Sequence, residues 1–215
     1  VDSIFYSSIP LDLFTKKLPS LYAKTIQISG ELKEKKRHLV SVVNWDSKTI
    51  SRTIQMRELL SFQEAKQYSK DQLFVIFDYW NEEVVGFYEL HNFVHINDIS
   101  GHGCKYLAII PIDKPVNGLD VQNPVFLSSN FHILQGALEI SNYNVETDLV
   151  EIKTTLPGKR EGSLFFLIPK NYRVQNAVKI NEKNKKDEQS IDIDSELLVN
   201  DTFNLVKINF ELEDF

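Results

Sequence analysis

Short apolar runs recur from Lys24 to the end of the chain, and polar residues, glycine or proline separate them. Runs of this length, rich in β-branched and aromatic residues, are typical of strands and too short for most globular helices. The pattern predicts an all-β chain of antiparallel strands. The candidate strands are residues 39–43, 49–56, 73–78, 84–90, 93–96, 105–110, 125–127, 134–143, 149–154, 163–168, 173–180, 190–193 and 206–212.

Residues 206–212, VKINFEL, show the clearest strand pattern because apolar and polar side chains alternate without a break. Such alternation places one face of a strand in a core and the other in water. Helical spacing is weak by comparison. Residues 54–70 have some apolar residues at helical spacing, but Ser61 and Gln63 dilute it. We therefore expect at most one or two short helices.

A break in the strand pattern divides the chain. The stretch PIDKPVNGLDVQNP, residues 111–124, holds three prolines and one glycine, which favour turns or extended chain. We expect a linker at residues 113–124 between two small antiparallel β-sandwich units in tandem. The first would cover residues 24–112 and the second 125–215.

Charge and composition exclude several classes of partner. Thirty acidic residues outnumber 24 basic ones and give a formal net charge of −6, so we expect no nucleic-acid partner. No apolar run is long enough to cross a bilayer, and the first residues lack the pattern of a signal peptide. We therefore expect no membrane partner.

The first residue, the single methionine and the single cysteine bear on how the chain was produced and on the cellular compartment in which it lies. The chain begins at Val1 and its single methionine is Met56, which predicts a processed or trimmed piece of a longer protein. Cys104 is the only cysteine and has no partner for an internal disulfide. Localisation stays open, with the cytoplasm slightly favoured.

Few residues are spaced for catalysis or metal binding. His102 and Cys104 flank a glycine, but a turn explains them and no third group orients them. The acidic run at residues 190–196 could hold calcium, yet a solvated strand face explains it equally well. His91 and His95 lie in a stretch that favours strand. Because no phosphate, dinucleotide, esterase or zinc-protease motif occurs, we expect no catalytic residue, no metal and no cofactor.

Aromatic side chains are the remaining candidates for binding. Trp45 lies in a break after a valine-rich run, and Tyr79 and Trp80 end another apolar run. An aromatic ring can stack on a sugar, but in small β domains such residues more often fill a core or an interface. Both interpretations of these three residues stay open.

Five segments, in order, resemble a known family. They are PLDLF (10–14), VVNWD (42–46), VIFDYWNEEVVGFYE (75–89), ISGHGCKYLAIIPI (99–112) and NPVFLSSNFHILQGALEI (123–140). Together they resemble the region that follows the catalytic barrel in microbial alpha-galactosidase-type glycoside hydrolases, including raffinose synthase-like members. The chain departs from that pattern at Val42 or Val43 and at Tyr79, where the family often has Phe. After residue 143 the likeness is limited to β character and the segment LPGKREGSLFFLIP.

The resemblance implies a non-catalytic role for this chain. It implies a catalytic barrel before residue 1 in the same parent polypeptide, with residues 1–23 as the exit segment from that barrel. The barrel would carry both catalytic aspartates of a retaining α-glycoside hydrolase or transferase, and this chain would brace it. Trp45 and Trp80 would then be buried in the first sandwich or against the barrel, and truncating either would cost about 3 to 5 kcal/mol.

Other hypotheses stay open beside this one. The alternative is a free-standing carbohydrate-binding module, with carbohydrate as partner and two or more exposed aromatic rings. A hydrolase complete in itself would need a pocket with paired carboxylates. Enzyme status and homo-oligomer formation are left undecided by the sequence.

Overall fold

The computed structural model describes residues 8–15, 18–28, 36–113, 123–137, 140–145, 149–154, 160–170, 172–180, 188–191, 193–199 and 202–212. Within these residues the protein is all-β, as predicted, with several antiparallel sheets and no closed barrel. Among the described residues, helical structure is limited to a 3-10 turn at Met56–Leu59 and a short helix α1 at Phe62–Ala65. Both fall inside the stretch for which one short helix was predicted. No helix of the described residues is long and apolar enough to span a membrane.

The chain divides into two compact units. Unit 1 comprises Val1–Gln27 and Glu34–Lys114, and unit 2 comprises Ile28–Lys33 and Pro115–Phe215. The described part of the predicted exit segment, residues 8–15 and 18–23, therefore belongs to unit 1. Most of the predicted linker at residues 113–124 lies outside the described residues.

The described residues of unit 1 form eight strands in two antiparallel sheets. A six-stranded sheet has the order β1-β2-β3-β8-β5-β6, and a two-stranded sheet pairs β4 with β7. The strands are β1 Ile9–Pro10, β2 Leu21–Ile26, β3 Arg37–Val43, β4 Ile50–Gln55, β5 Leu73–Asp78, β6 Glu83–Glu89, β7 Phe93–Ile99 and β8 Cys104–Ile112. The candidate strands from the sequence correspond to β3–β8.

The core of unit 1 lies between its two sheets. Val42, Ile76 and Ile109 project from the six-stranded sheet and pack with Ile54 and Val94 of the β4–β7 pair. All five are at most 4 % exposed. Because side chains alternate across each strand, the inward residues recur at every second position and form a sandwich-like core.

The register of the six-stranded sheet brings four connections to one end. Val43 at the end of β3 pairs with Cys104 at the start of β8, and Asp78 at the end of β5 pairs with Leu107 of β8. Strand β2 begins opposite Val42. The β1–β2, β3–β4, β5–β6 and β7–β8 connections therefore share one end of the sheet, which we call the loop end.

Helix α1 lies toward the opposite end. Lys36, just before β3, forms an ion pair with Glu64 of α1 at 3.3 Å. One residue into β3, the ring nitrogen Nε2 of His38 is hydrogen-bonded to the Tyr68 hydroxyl at 2.8 Å. The end of the sheet near α1 thus carries an ion pair and a hydrogen-bonded histidine, and the four connections lie at the loop end.

Unit 2 is built around a four-stranded antiparallel sheet with the order β15-β16-β12-β9. Two further pairs, β10 with β11 and β13 with β14, complete it. The strands are β9 Val125–Ser129, β10 Ile140–Val145, β11 Val150–Thr154, β12 Arg160–Pro169, β13 Ala177–Ile180, β14 Glu188–Ile191, β15 Ile193–Leu198 and β16 Phe203–Leu212. Phe126, Tyr143, Phe166 and Val206 are central members of its core.

Two predicted strands are partly wrong. Residues 173–180 were expected to form one strand, but residues 173–176 are outside any strand and β13 begins only at Ala177. Residues 134–143 were expected to form a single strand, but residues 133–137 form a turn and β10 begins only at Ile140. Gln135 and Gly136 have φ values of 52° and 109°, which no β-strand accommodates. At Gly136 a side-chain Cβ would also lie 2.7 Å from the Phe126 ring, so glycine is required there.

Candidate functional site

Two of the three aromatic candidates lie together at the loop end. Tyr79 and Trp80 follow β5, and their rings meet edge to face with centroids 4.8 Å apart. Tyr106 of β8 packs on the other side of Tyr79, with centroids 5.8 Å apart. The Tyr79 amide also donates to the Tyr106 carbonyl at 2.9 Å, so both the ring and the backbone of Tyr79 are fixed.

The turn that presents Trp80 is organised by a buried carboxylate. Asp78 is 2 % exposed, and its Oδ1 accepts hydrogen bonds from the amides of Trp80 at 3.1 Å and Asn81 at 3.4 Å. Its other oxygen accepts from Lys105 Nζ at 2.9 Å. An aspartate in this position favours a turn because its side chain satisfies the amides two and three residues later.

Trp80 is more exposed to solvent than its two aromatic neighbours. Trp80 is 54 % exposed, whereas Tyr79 and Tyr106 are half-buried. Burial raises the pKa of Tyr106 well above its usual range, with Tyr79 and Cys104 adding to the effect, so its hydroxyl stays neutral. The cluster offers one exposed indole ring backed by two half-buried tyrosines, of which Tyr106 keeps its hydroxyl proton.

Trp45 occupies a different place at the loop end. Its indole Nε1 donates to the Pro19 carbonyl at 2.8 Å, which ties the β3–β4 loop to the β1–β2 loop. Asn44 anchors the same loop from inside, since its Nδ2 donates to the carbonyls of Lys48, Ile99 and Ser100 at 2.8 to 3.0 Å. Trp45 remains 49 % exposed.

Burial of the two tryptophans in the first sandwich, one of the two expectations from the sequence, is therefore wrong. Each ring is about half exposed within this chain. The β3–β4 loop and the β5–β6 turn lie at the loop end of unit 1, beyond the residues that pack between the two sheets.

A small recess lies beside Trp45. Its volume is about 100 Å³, and its wall includes Leu18, Trp45, Asp46 and Arg52. The Arg52 guanidinium donates to the Ser20 hydroxyl at 2.7 Å, which places a positive charge at the recess. Asp46 is the single carboxylate of its lining, so the paired carboxylates of a glycoside hydrolase are not assembled there.

The β1–β2 loop carries apolar side chains that sequence patterns did not single out. Leu13, Phe14 and Leu18 are 48, 98 and 56 % exposed, and with Trp45 they form what we call the loop-end patch. The described residues of the loop are nevertheless held in place, because the Asp12 carboxylate accepts hydrogen bonds from the amide and hydroxyl of Ser20. The motif PLDLF contains both the anchor and two of the exposed residues. Proline and aspartate beside apolar residues could have indicated such a loop.

Among the described residues, those considered for catalysis and metal binding are not assembled into a centre. His102 lies in the β7–β8 turn with φ of 55°, its amide donates to the Asp46 carbonyl, and Cys104 is exposed. His95 pairs with Thr53 in a surface hydrogen bond at 2.9 Å. No group of His, Cys, Asp or Glu suited to a metal ion occurs among the described residues. Asp192 lies outside the described residues, as do the side chains of the rest of the acidic run apart from Ile191.

No protein-family model, no curated protein and no solved structure matches this chain.

Proposed function

We propose that this protein is a non-catalytic C-terminal β region of an alpha-galactosidase-like glycoside hydrolase, and that it braces the catalytic barrel of the same parent polypeptide. The assignment to this family rests on the five ordered sequence motifs alone. The all-β fold agrees with a bracing role, and so does the recess, whose lining has Asp46 as its one carboxylate. Neither observation selects the family. The loop-end patch is the observation that supports docking to another domain.

The loop-end patch has the features of a docking surface. Phe14 is almost fully exposed, and burying a side chain of this size contributes about 2 kcal/mol. Leu13 and Leu18 accompany it on the β1–β2 loop, and Trp45 lies on the β3–β4 loop. Hydrogen bonds hold the described residues of both loops, so little conformational entropy would be lost on docking. Clusters of exposed apolar residues on a soluble protein commonly mark interaction sites.

The position of the patch also fits a preceding domain. In a parent polypeptide with a barrel before residue 1, the chain would reach unit 1 through β1, which leads directly into the β1–β2 loop. The barrel would then lie close to Leu13 and Phe14. Trp45 would contact the barrel at the same surface and lose its exposed half there.

The test is to express the upstream part of the parent reading frame separately and mix it with this chain. We expect a barrel that hydrolyses an aryl α-galactoside, a chain that does not, and a complex in sedimentation velocity that raises the barrel's melting temperature. Phe14→Asp with Leu18→Asp should abolish the complex. Phe62→Asp is the matched control, because Phe62 is 68 % exposed and lies on α1, toward the other end of the sheet.

Two results would overturn the proposal. An upstream reading frame without a barrel would remove the family assignment. A complex that forms as well with the Phe14→Asp and Leu18→Asp variant as with Phe62→Asp would exclude the loop-end patch as the docking surface.

A further inference from the structure

We propose that Trp80 forms a carbohydrate-binding site on the β5–β6 turn, where its exposed ring stacks on one neutral pyranose ring of a glycan. The site does not depend on the docking function proposed above, because it uses a different turn and different side chains from the loop-end patch. It would operate equally in a free chain and in one attached to a barrel.

Trp80 is exposed and yet held in place. Its backbone amide is fixed by the buried Asp78 carboxylate, which in turn is fixed by Lys105. Its ring is supported edge to face by Tyr79. A ring that is already oriented loses little freedom when a ligand stacks on it, so more of the stacking energy contributes to affinity.

The indole nitrogen distinguishes the two tryptophans. Trp45 Nε1 donates to the Pro19 carbonyl, whereas Trp80 Nε1 has no acceptor among the described residues. An exposed indole N–H beside an open ring face matches a sugar, which presents apolar C–H groups on its face and hydroxyl acceptors at its edge. The indole N–H of Trp45 is therefore used in a hydrogen bond within the protein, whereas the indole N–H of Trp80 is available to a ligand.

Polar side chains follow Trp80 on the same turn. Asn81 Nδ2 donates to Glu83 Oε1 at 3.1 Å, and both residues are exposed. The amide and carboxylate keep further acceptor and donor positions that can bind hydroxyl groups. Sites for small ligands combine an apolar surface with a few fixed polar groups in this way.

Charge and area favour a neutral sugar over other occupants. Glu82 and Glu83 follow Trp80 on the same turn and are acidic, so they disfavour a phosphate or an anionic lipid surface there. A stable protein interface buries about 800 Å² per partner, which is several times what one half-exposed indole supplies. A single pyranose ring, by contrast, is matched in area to one indole ring.

The test uses affinity electrophoresis in gels that contain galactomannan, xyloglucan or soluble starch. We expect at least one polysaccharide to retard the wild-type chain. Trp80→Leu keeps an apolar side chain without a flat ring and should weaken binding at least about tenfold, or 1.4 kcal/mol. Trp80→Phe should keep most of the affinity, and Trp45→Leu should bind as the wild type does.

Fluorescence gives a second readout at the same site. The chain has two tryptophans, so in Trp45→Phe the emission reports Trp80 alone. Adding fragments of the retarding polysaccharide should shift this emission to shorter wavelength, with a midpoint that agrees with the electrophoresis. Unchanged melting temperatures of the variants would show that the loss of binding is not a loss of folding.

Three results would overturn the proposal. The first is no retardation by any of the three polysaccharides, and the second is equal retardation of Trp80→Leu and the wild type. The third is self-association of the wild type that Trp80→Leu abolishes, since the ring would then serve an interface between copies of the chain. The barrel experiment is unaffected by any of them.

Discussion

The carboxylate of Asp78 and the ammonium group of Lys105 form an ion pair at 2.9 Å with side chains only 3 and 14 % exposed. The pair joins β5 to β8 at the loop end and lies directly beneath the turn that carries Trp80. Removing one member leaves the other charge buried without a partner, which costs more than the pair itself contributes.

We therefore predict that Asp78→Asn and Lys105→Met each lower the free energy of unfolding by about 3 kcal/mol. The double variant should lose clearly less than the sum, because no unpaired charge remains. Urea unfolding of the four proteins gives the coupling energy. Lys36→Met is the control, since the pair of Lys36 with Glu64 at 3.3 Å is more exposed and its loss should cost less than about 1 kcal/mol. Strict additivity would show that the buried pair is not coupled.

Both tryptophans should tolerate truncation better than a core residue. Trp45 and Trp80 are about half exposed, so in this isolated chain Trp45→Ala and Trp80→Ala should each cost about 1 kcal/mol or less. Phe74, with no exposed surface, is the reference, and Phe74→Ala should cost about 3 to 5 kcal/mol. Thermal and urea unfolding measure the differences. A cost for either tryptophan that equals the cost at Phe74 would contradict the exposure seen here.

The strands were predictable because their signal is local. In β7 the buried Val94 and Ile96 alternate with the polar His95 and Asn97, and in β8 residues 107–112 form an unbroken apolar run; the sequence shows both patterns directly. The turn at Gln135 and Gly136 was missed because the apolar residues around it resemble a strand. The glycine was the available indication of a turn.

The candidate site was only partly predictable because burial depends on distant neighbours. Trp45 and Phe74 both lie within two residues of a β-branched residue, Val43 for Trp45 and Val75 for Phe74, yet one lies on a loop and the other between two sheets. Tyr106 joins Tyr79 through the β5–β8 register, which pairs residues about 30 positions apart and cannot be read from either segment. Residues 28–33 belong to unit 2 although the residues on both sides of them in the sequence belong to unit 1. The local sequence does not show this either.

Stability should fall on mild acidification because of His38. Burial lowers the pKa of His38 to about 4, with a smaller effect from Lys36, while an unfolded histidine titrates near its ordinary value of 6.5. Between these values the unfolded chain binds a proton that the folded chain excludes, so stability is lost as the pH falls from about 6.5 to 4. The full difference is about 3 kcal/mol. Urea unfolding at several pH values across this window measures it.

Two variants isolate the contribution of His38. Its ring nitrogens are hydrogen-bonded to Thr25 at 2.9 Å and to Tyr68 at 2.8 Å, and His38→Gln removes the titrating group while keeping polar atoms there. The slope with pH should become shallower in this variant. His95→Gln is matched, because His95 is likewise bonded to a threonine at 2.9 Å but is exposed. An unchanged slope in His38→Gln would assign the pH dependence to other groups.

The Asp12 carboxylate should control the order of the β1–β2 loop. It accepts hydrogen bonds from the Ser20 amide at 2.8 Å, the Ser20 hydroxyl at 2.6 Å and the Leu21 amide at 3.0 Å. Asp12→Ala leaves these buried donors unsatisfied and should cost about 2 to 3 kcal/mol of unfolding free energy. Hydrogen exchange at the Ser20 and Leu21 amides should become faster, because their acceptor is gone.

The same change links the loop to the proposed docking function. Once the loop is no longer held, Phe14 and Leu18 must be ordered on binding, so Asp12→Ala should weaken the complex with the barrel even though no patch residue is altered. Asp71→Ala, at an exposed turn residue, should change neither exchange nor binding. Unaltered exchange at Ser20 in Asp12→Ala would show that the carboxylate does not hold the loop. Faster exchange with undiminished binding would show that the barrel does not depend on an ordered patch.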